Sequence, residues 1–258
     1  MKAEILSHLN LTGPYYKLKL YSPHIYKNAM PGQFAMLRVG ETSDPLLRRP
    51  FSIHKKNPDK TIEILYKIVG KGTRLLSTLV KGKDMDIIGP LGNGFVIDKK
   101  IKNHILIAGG IGIAPLLFLA HELSRDKRSR ITLFLGARHK EDILCIQNFK
   151  RLKARINIST EDGSLGKQGL ISELFEVSLA DLNEQKIAVY SCGPNNMLRE
   201  IHRLAAAKGL PCQVSLEARM GCGIGACLGC VVEGKEGYEK VCTDGPVFDA
   251  GEVEWGRL

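Results

Sequence analysis

No apolar run in these 258 residues reaches the roughly 18 consecutive positions that a membrane-crossing helix requires, so the chain is expected to be soluble and not to act at a membrane. Nothing at its N-terminus reads as a secretory signal. Its thiols are therefore expected to be reduced or metal-bound in the cytoplasm, which argues against a disulfide framework. The marks of a nucleic-acid binder are missing as well. The formal net charge is +10, yet the basic runs Lys55-Lys56, Lys99-Lys100-Ile-Lys102 and Arg125-Asp-Lys-Arg128-Ser-Arg130 are scattered between strand-like segments without aromatic interleaving. That charge is read instead as a solvated surface, an attraction for anionic cofactors, or a docking face for an acidic partner. The seven histidines show no metal-like pairing and are assigned no chemistry.

What the chain has is cysteine concentrated in one place. Four of its seven lie at Cys222, Cys227, Cys230 and Cys242, spaced C-x4-C-x2-C-x11-C, with glycines at 221, 223, 225 and 229 around them. Structural zinc usually takes two CxxC-like knuckles of similar tightness, whereas this spacing is that of the plant-type ferredoxins that hold a 2Fe-2S cluster. A cluster carrying several negative charges needs a loop wrapped closely around it, offering backbone N–H groups to sulfur. Glycine, without a Cβ, permits that approach. A zinc loop is the alternative use of the same four thiols. Cys145 and Cys212 are read as core residues. Cys192 either faces a cofactor or is a small buried residue.

In chain order, residues 1–98 read as β structure. Short alternating runs at 4–9, 15–21, 33–39 and 61–68, separated by Gly and Pro turns, suggest a small antiparallel barrel. Arg48-Arg49-Pro50-Phe51-Ser52-Ile53 ends one turn and begins a strand, and Gly70-Lys-Gly72-Thr73 leads into an amphipathic stretch at 74–80. An arginine, an aromatic and a serine in this order can bind a phosphate, cover a flat ring and bond a ring nitrogen. Gly-x-Gly-Thr at a helix start offers amides and a hydroxyl to a pyrophosphate. Near residue 100 the periodicity changes. His104-Ile-Leu-Ile-Ala108 is a buried strand, Gly109-Gly110-Ile-Gly112 a tight turn, Ala114-Pro115 a helix start, and 131–135 the next strand, which makes a βαβ unit. The turn is Gly-Gly-x-Gly, short of the full dinucleotide fingerprint. A strand at 186–190 runs into Ser191-Cys192-Gly193-Pro194 and a helix from Asn195 to Lys208, stopped by Gly209. Ligands gather at such strand ends in open α/β sheets. Arg138, just past the second strand of this unit, either meets a 2′-phosphate or is a surface arginine.

Taken together, the order RRPFS, GKGT, GPLGNGF, AGGIGIAP and YSCGP resembles the ferredoxin-NADP reductase superfamily. The segments Glu217–Cys227 and Val241–Phe248 narrow the resemblance to the family of electron transfer subunits of class 1B dihydroorotate dehydrogenases, over essentially the whole chain. The resemblance implies a multi-domain β plus α/β fold: a flavin-binding antiparallel β-barrel at 1–98, a Rossmann-like NAD-binding domain at 99–210 and a small 2Fe-2S domain at 211–258. It implies FAD contacts from Arg49, Pro50, Phe51 and Ser52, from Leu65, Tyr66 and Lys67, and from Gly72 and Thr73. By the same resemblance Gly109, Gly110 and Gly112 form the phosphate loop for NAD, Cys192, Gly193 and Pro194 the turn near the nicotinamide, and Cys222, Cys227, Cys230 and Cys242 the cluster ligands. Many relatives in the superfamily have tyrosine where Phe51 stands. Plant-type reductases end in an aromatic residue that shields the flavin, whereas here the cluster segment follows. The implied partner is a separate FMN-containing catalytic subunit that oxidises dihydroorotate, in a heterotetramer with two subunits of each kind. This chain shows no pyrimidine site and needs no catalytic acid or base of its own. The alternatives are a reductase subunit of a sulfhydrogenase or sulfite reductase complex, and a non-enzymatic flavin redox sensor with a zinc-bound tail.

Overall fold

A computed structural model describes residues 1–40, 44–181 and 186–258. The N-terminal part is one antiparallel sheet of β1 (Lys2–Thr12), β2 (Tyr15–Tyr21), β3 (Phe34–Leu37), β4 (Arg49–Ser52), β5 (Lys55–Asn57), β6 (Thr61–Lys67) and β7 (Asp84–Leu91). Two short helices interrupt it, α1 (Pro23–Asn28) and α2 (Lys71–Ser77). Its strand order is β4-β3-β7-β1-β2-β6-β5, so the two outermost strands are consecutive in the chain. A flat sheet of this size would set its edges about 29 Å apart. Ser52 and Lys55 are only three Cα steps apart, a span of at most about 11 Å, so the sheet has to curl until its edges meet. The link shows the closure: Ile53 N–H donates to Gln33 O at 3.0 Å and His54 N–H to Glu63 O at 2.8 Å. Ile5, Leu18, Leu20, Ile62 and Ile64 fill the interior.

The second sheet is built from β8 (Asn103–Gly109), β9 (Arg130–Ala137), β10 (Arg155–Thr160), β11 (Lys167–Gln168), β12 (Ile187–Cys192), β13 (Cys212–Ser215) and a last strand at Val247–Asp249. Its order places β11-β10-β9-β8-β12-β13 in parallel, with Val247–Asp249 antiparallel at the edge. Helices α3 (Ile113–Leu123), α4 (Ile146–Arg151), α5 (Ile171–Ser178) and α6 (Asn195–Ala207) cover its two faces. This is why β8 reads as an unbroken apolar run: Ile105 and Ile107 point into the core shared with α5 and α6, Leu106 and Ala108 into the one shared with α3. Helix α3 is buried nearly all round, because it is wedged between this sheet and the barrel, with Phe118 in the barrel's core. A two-stranded hairpin, β14 (Val231–Gly234) and β15 (Gly237–Lys240), stands apart, and the edge strand Val247–Asp249 is β16.

The boundary expected after residue 210 cuts this second sheet. Strand β13 pairs in parallel with β12 and buries Cys212 and Val214 in the α/β core, and β16 closes the edge beside it. The cluster segment is therefore an arm that leaves the sheet after Ser215 and returns to it at Val247. A four-residue strand carries too little periodicity to be seen ahead of the pairing. The helix expected from residue 74 begins earlier, at Lys71.

Candidate functional site

Two cavities open where the barrel, the parallel sheet and the cluster arm meet. The smaller, of about 300 Å³, is lined from the barrel by Arg49, Pro50, Phe51 and Ser52 on β4, by Leu65, Tyr66 and Lys67 on β6, and by Thr73 on α2. The α/β part adds Ile111, Ala114, Pro115 and Cys192. The arm adds Leu216, Glu217, Ala218 and Met220, with Pro246 where it returns. The walls are mostly apolar and the volume is that of a small-ligand site, which suits a flat ring system. Arg49 lies against the start of α2, where a Cβ on Gly72 would come within 2.8 Å of its Nε, so glycine here is what lets the guanidinium lie beside the first turn. Thr73 is engaged locally: its Oγ1 accepts from the amides of Val69 at 2.9 Å and Gly70 at 3.2 Å. Phe51 meets Tyr66 edge-on at 5.5 Å, and Tyr66 stacks on Tyr16 at 5.7 Å. His8 Nδ1 faces only a carbonyl, Leu79 O at 2.8 Å, so it carries the proton, and Tyr66 donates its hydroxyl to Nε2 at 2.8 Å. His8 and Tyr16 carry no pattern in the sequence that ties them to this site; strand register alone brings them there.

The larger cavity, of about 1030 Å³, lies at the carboxyl ends of the parallel strands. Gly109, Gly110 and Gly112 line it beside Gly193 and Pro194. Gly112 is required by contact: a Cβ there would sit 2.2 Å from Cys192 O, in the turn after β12. Cys192 itself is buried, lines the smaller cavity and not the larger, and has its thiol pushed up by burial. Lys67, Ile111 and Glu217 line both cavities, so the two spaces adjoin across these three side chains. Glu217 is an exposed residue whose carboxyl end is recessed enough for burial to raise its pKa. Arg138 is exposed and lines the larger cavity. A third cavity, of about 870 Å³ and lined by His104, Asp126, Arg130 and Arg155 among others, opens at the opposite, amino edge of the sheet, away from the end where such folds bind ligands.

The cysteine loop sits beside the smaller cavity. Met220 lines that cavity, and three residues later Gly223 packs so closely on Met36 of β3 that a Cβ would meet its side chain at 2.6 Å. Backbone amides point at the sulfurs: Ile224 and Cys227 donate to Cys222 Sγ at 3.5 and 3.3 Å, and Gly225 donates to Cys242 Sγ at 3.3 Å. The amides of Ile224 and Cys227 pull the Cys222 thiol down to about 6, while burial and the neighbouring Cys230 push Cys242 up to about 11. Cys227 Sγ lies over glycine, 3.2 Å from a Cβ built on Gly221. All seven cysteines are free thiols, so no disulfide competes for them. Amides directed at two of the four thiols, Cys222 and Cys242, in a glycine-lined loop fit an iron–sulfur cluster, whose sulfurs accept such bonds. Cys212 is a core residue as expected, its thiol pushed up to about 12 by burial. Cys145 is half-buried with φ +65° and its Sγ 3.9 Å from His54 Nε2, remote from the loop. Asn93, in the barrel's Gly-Asn-Gly turn, donates its Nδ2 to Thr243 O at 3.2 Å and Asp244 O at 2.8 Å, tying the arm down just past Cys242.

Comparison with known proteins agrees with this geometry. Residues 217–254 match the iron-sulfur cluster binding domain of dihydroorotate dehydrogenase B, and residues 106–203 match the oxidoreductase NAD-binding domain. The first match removes the support for a zinc loop. A dihydroorotate dehydrogenase B (NAD(+)) electron transfer subunit from Desulforamulus reducens is 42% identical over 98% of this chain and 97% of its own length. Among solved structures, a chain of an NADH-dependent reduced ferredoxin-NADP oxidoreductase, described in terms of flavin-based electron bifurcation, superposes with a TM-score of 0.88. It is 30% identical, with 98% of this chain and 90% of that one covered. A ferredoxin NADP+ reductase from Neisseria gonorrhoeae with bound FAD and NADP shares the fold, with a TM-score of 0.68 at 18% identity over 81% of this chain and 91% of its own.

Proposed function

The chain belongs to the family of dihydroorotate dehydrogenase B (NAD(+)) electron transfer subunits, and from that membership we propose that it delivers to NAD+ the electrons that a separate FMN-bearing subunit takes from dihydroorotate. It is an oxidoreductase subunit of pyrimidine biosynthesis that uses FAD, a 2Fe-2S cluster and NAD. A nicotinamide exchanges hydride, a 2Fe-2S cluster single electrons and a flavin both, so FAD is the carrier that joins the other two. The carrying observation is the arm: one short segment holds the four thiols and also walls the smaller cavity through Leu216, Glu217, Ala218 and Met220.

The residues then have the following work. Arg49, beside Gly72 and the first turn of α2, meets the FAD phosphates, and Thr73 holds the turn that presents those amides. Pro50, Phe51, Leu65 and Tyr66 cover the ring, Ser52 offers a hydroxyl to its edge, and the arm takes the place of the terminal aromatic of plant-type reductases. Gly109, Gly110 and Gly112 leave room for the NAD pyrophosphate, and Cys192, Gly193 and Pro194 shape the space between the two cavities. Lys67, shared by both cavities, is a cation beside both, with its Nζ 3.7 Å from Asp142 Oδ1 and 5.0 Å from the centre of the Tyr15 ring. Cys222, Cys227, Cys230 and Cys242 would hold the cluster, with the amides of Ile224, Gly225 and Cys227 donating to the sulfurs of Cys222 and Cys242 and so helping to set its potential. No proton need be moved by an acid or base of this chain. The partner docks in the cytoplasm in a heterotetramer of two subunits of each kind, with the cysteine loop and its exposed Ile224 and Leu228 facing it.

The test is an absorption spectrum of the anaerobically purified chain with and without NADH, alongside iron and zinc analysis. Flavin bands and broad iron–sulfur absorption, both bleached by NADH, are expected, with dihydroorotate oxidised only when the FMN subunit is added. Zinc in place of iron, or dihydroorotate turnover by the chain alone, would refute the reading. A second reading, as the reductase subunit of another complex, draws on the likeness to the ferredoxin-NADP oxidoreductase chain. Affinity purification from cells decides between them by whether the FMN subunit or another oxidoreductase comes down in equal amount.

A further inference from the structure

We propose that Glu161 is the residue by which this chain prefers a dinucleotide with a free adenosine 2′-hydroxyl over its 2′-phosphorylated counterpart. The inference rests on the larger cavity being the pyridine-nucleotide site. Glu161 follows β10 directly, Arg138 follows β9 directly, and both line that cavity. The two strand ends are held side by side, with Glu161 N–H donating to Ala137 O at 3.0 Å and Asp162 N–H to Arg138 O at 3.3 Å. In a sheet of this order the pyrophosphate lies over the glycine turn after the first strand, here Gly109–Gly112, and the adenosine half extends toward the ends of the neighbouring strands.

Two acidic residues stand at this point, and only one is available. The Asp162 carboxylate is taken up by its own turn, accepting from Ser164 N at 3.0 Å and Ser164 Oγ at 2.6 Å, with His139 Nδ1 at 3.0 Å. It does not line the cavity. Glu161 does, and its side chain has no hydrogen-bond or ion-pair partner among the described residues; the same holds for the Arg138 side chain. A carboxylate accepts and does not donate, so it is matched to the paired hydroxyls of a ribose. To a phosphate monoester, which carries nearly two negative charges, it presents like charge. Arg138 alone would favour that phosphate. With Glu161 on the adjacent strand end its charge is offset, and the planar guanidinium is left to stack on the adenine.

The test uses the flavin- and cluster-loaded chain. ADP-ribose and 2′-phospho-ADP-ribose are titrated calorimetrically, and kcat/KM for ferricyanide reduction is measured with NADH and NADPH, in the wild type, Glu161→Gln, Arg138→Ala and Asp162→Asn. Glu161→Gln is expected to narrow the preference for the unphosphorylated ligand by on the order of 30-fold, as for the loss of one hydrogen bond to a charged group. Arg138→Ala should widen the preference, and Asp162→Asn should leave it within about twofold, as for a surface change outside the site. An unchanged ratio in Glu161→Gln, or a shift produced by Asp162→Asn instead, would overturn the assignment. If Glu161→Gln and Arg138→Ala both leave the binding of both ligands untouched, the nucleotide lies elsewhere and the reading of the cavity itself fails. If both ligands weaken equally in Glu161→Gln, the site stands and the specificity role falls.

Discussion

All four proposed cluster cysteines fall within the 21 residues from Cys222 to Cys242, whereas the walls of the smaller cavity, the proposed flavin site, come from positions as far apart as Phe34 and Pro246. The first site is a property of one loop: glycine spacing and three amide–sulfur hydrogen bonds make it, and the rest of the chain only seats it against Met36 and Asn93. The second is a property of the assembly, needing a closed barrel, a buried helix and the arm at once. The difference teaches where damage spreads. A change in the loop should remove one carrier and spare the other, while a change in the supports of the cavity should act through folding stability.

The largest expected effect tests that separation. Cys227→Ser should lose the iron absorption and cut dihydroorotate-driven NAD+ reduction in the complex by more than about 100-fold, the upper range even for disturbing the outer partners of a metal site. Flavin content and NADH-driven ferricyanide reduction should be retained; loss of flavin as well would show that the two sites are not independent.

The cavity side should instead respond to pH. Burial holds His54, whose Nδ1–H donates to Ala114 O at 2.7 Å behind β4 and α3, down at about 4. An unfolded histidine titrates near 6.5, so between these values the unfolded chain binds a proton that the folded chain does not. That contribution is complete above about pH 6.5 and is lost as the pH falls toward 4, for a total of about 3 kcal/mol. Denaturant unfolding at pH 7, 5.5 and 4.5 should show the slope, and His54→Gln should flatten it.

Two smaller effects sharpen the comparison. Gly225 has φ +79°, and a Cβ there would lie 2.8 Å from the Thr243 methyl, so Gly225→Ala should cost about 2 kcal/mol and speed iron loss to a chelator. Gly110 has φ +51° with nothing within 4 Å, so Gly110→Ala should cost only the backbone term, about 1 kcal/mol. Equal costs at the two positions would show that Thr243 gives way. Asn93→Ala removes the two side-chain bonds to the arm and should cost about 1 kcal/mol, the scale of one net hydrogen bond. Its signature should be faster amide exchange around Thr243 with the barrel unaffected.

The parts of the molecule that were legible beforehand are those whose signal is local. Strands β2 and β6 alternate, β8 is an apolar run, the glycine turn and Pro115 mark the start of α3, and Gly209 follows α6. The cysteine spacing pointed to a 2Fe-2S cluster, with a zinc loop as the alternative that the family match then set aside. Three short strands were not legible: β5, β10 and β13 hold three to six residues each, and their positions follow from pairing partners elsewhere in the chain. The cover of the flavin cavity was hidden for the same reason, since Leu216, Ala218 and Met220 look like linker until β13 and β16 fix the two ends of the arm.

By itself, then, the sequence determined the cluster loop, the glycine turns and the alternation of barrel and α/β periodicities, because each is set by residues within a few positions of one another. Only the tertiary structure decided that the barrel closes through Ile53 and His54, that the arm walls the smaller cavity, that Lys67, Ile111 and Glu217 stand between the two cavities, and that Glu161 and Arg138 share one strand edge. Those are relations between segments tens to hundreds of residues apart. They are fixed by which strands exchange backbone hydrogen bonds and which apolar faces are buried together, and local spacing does not carry that information.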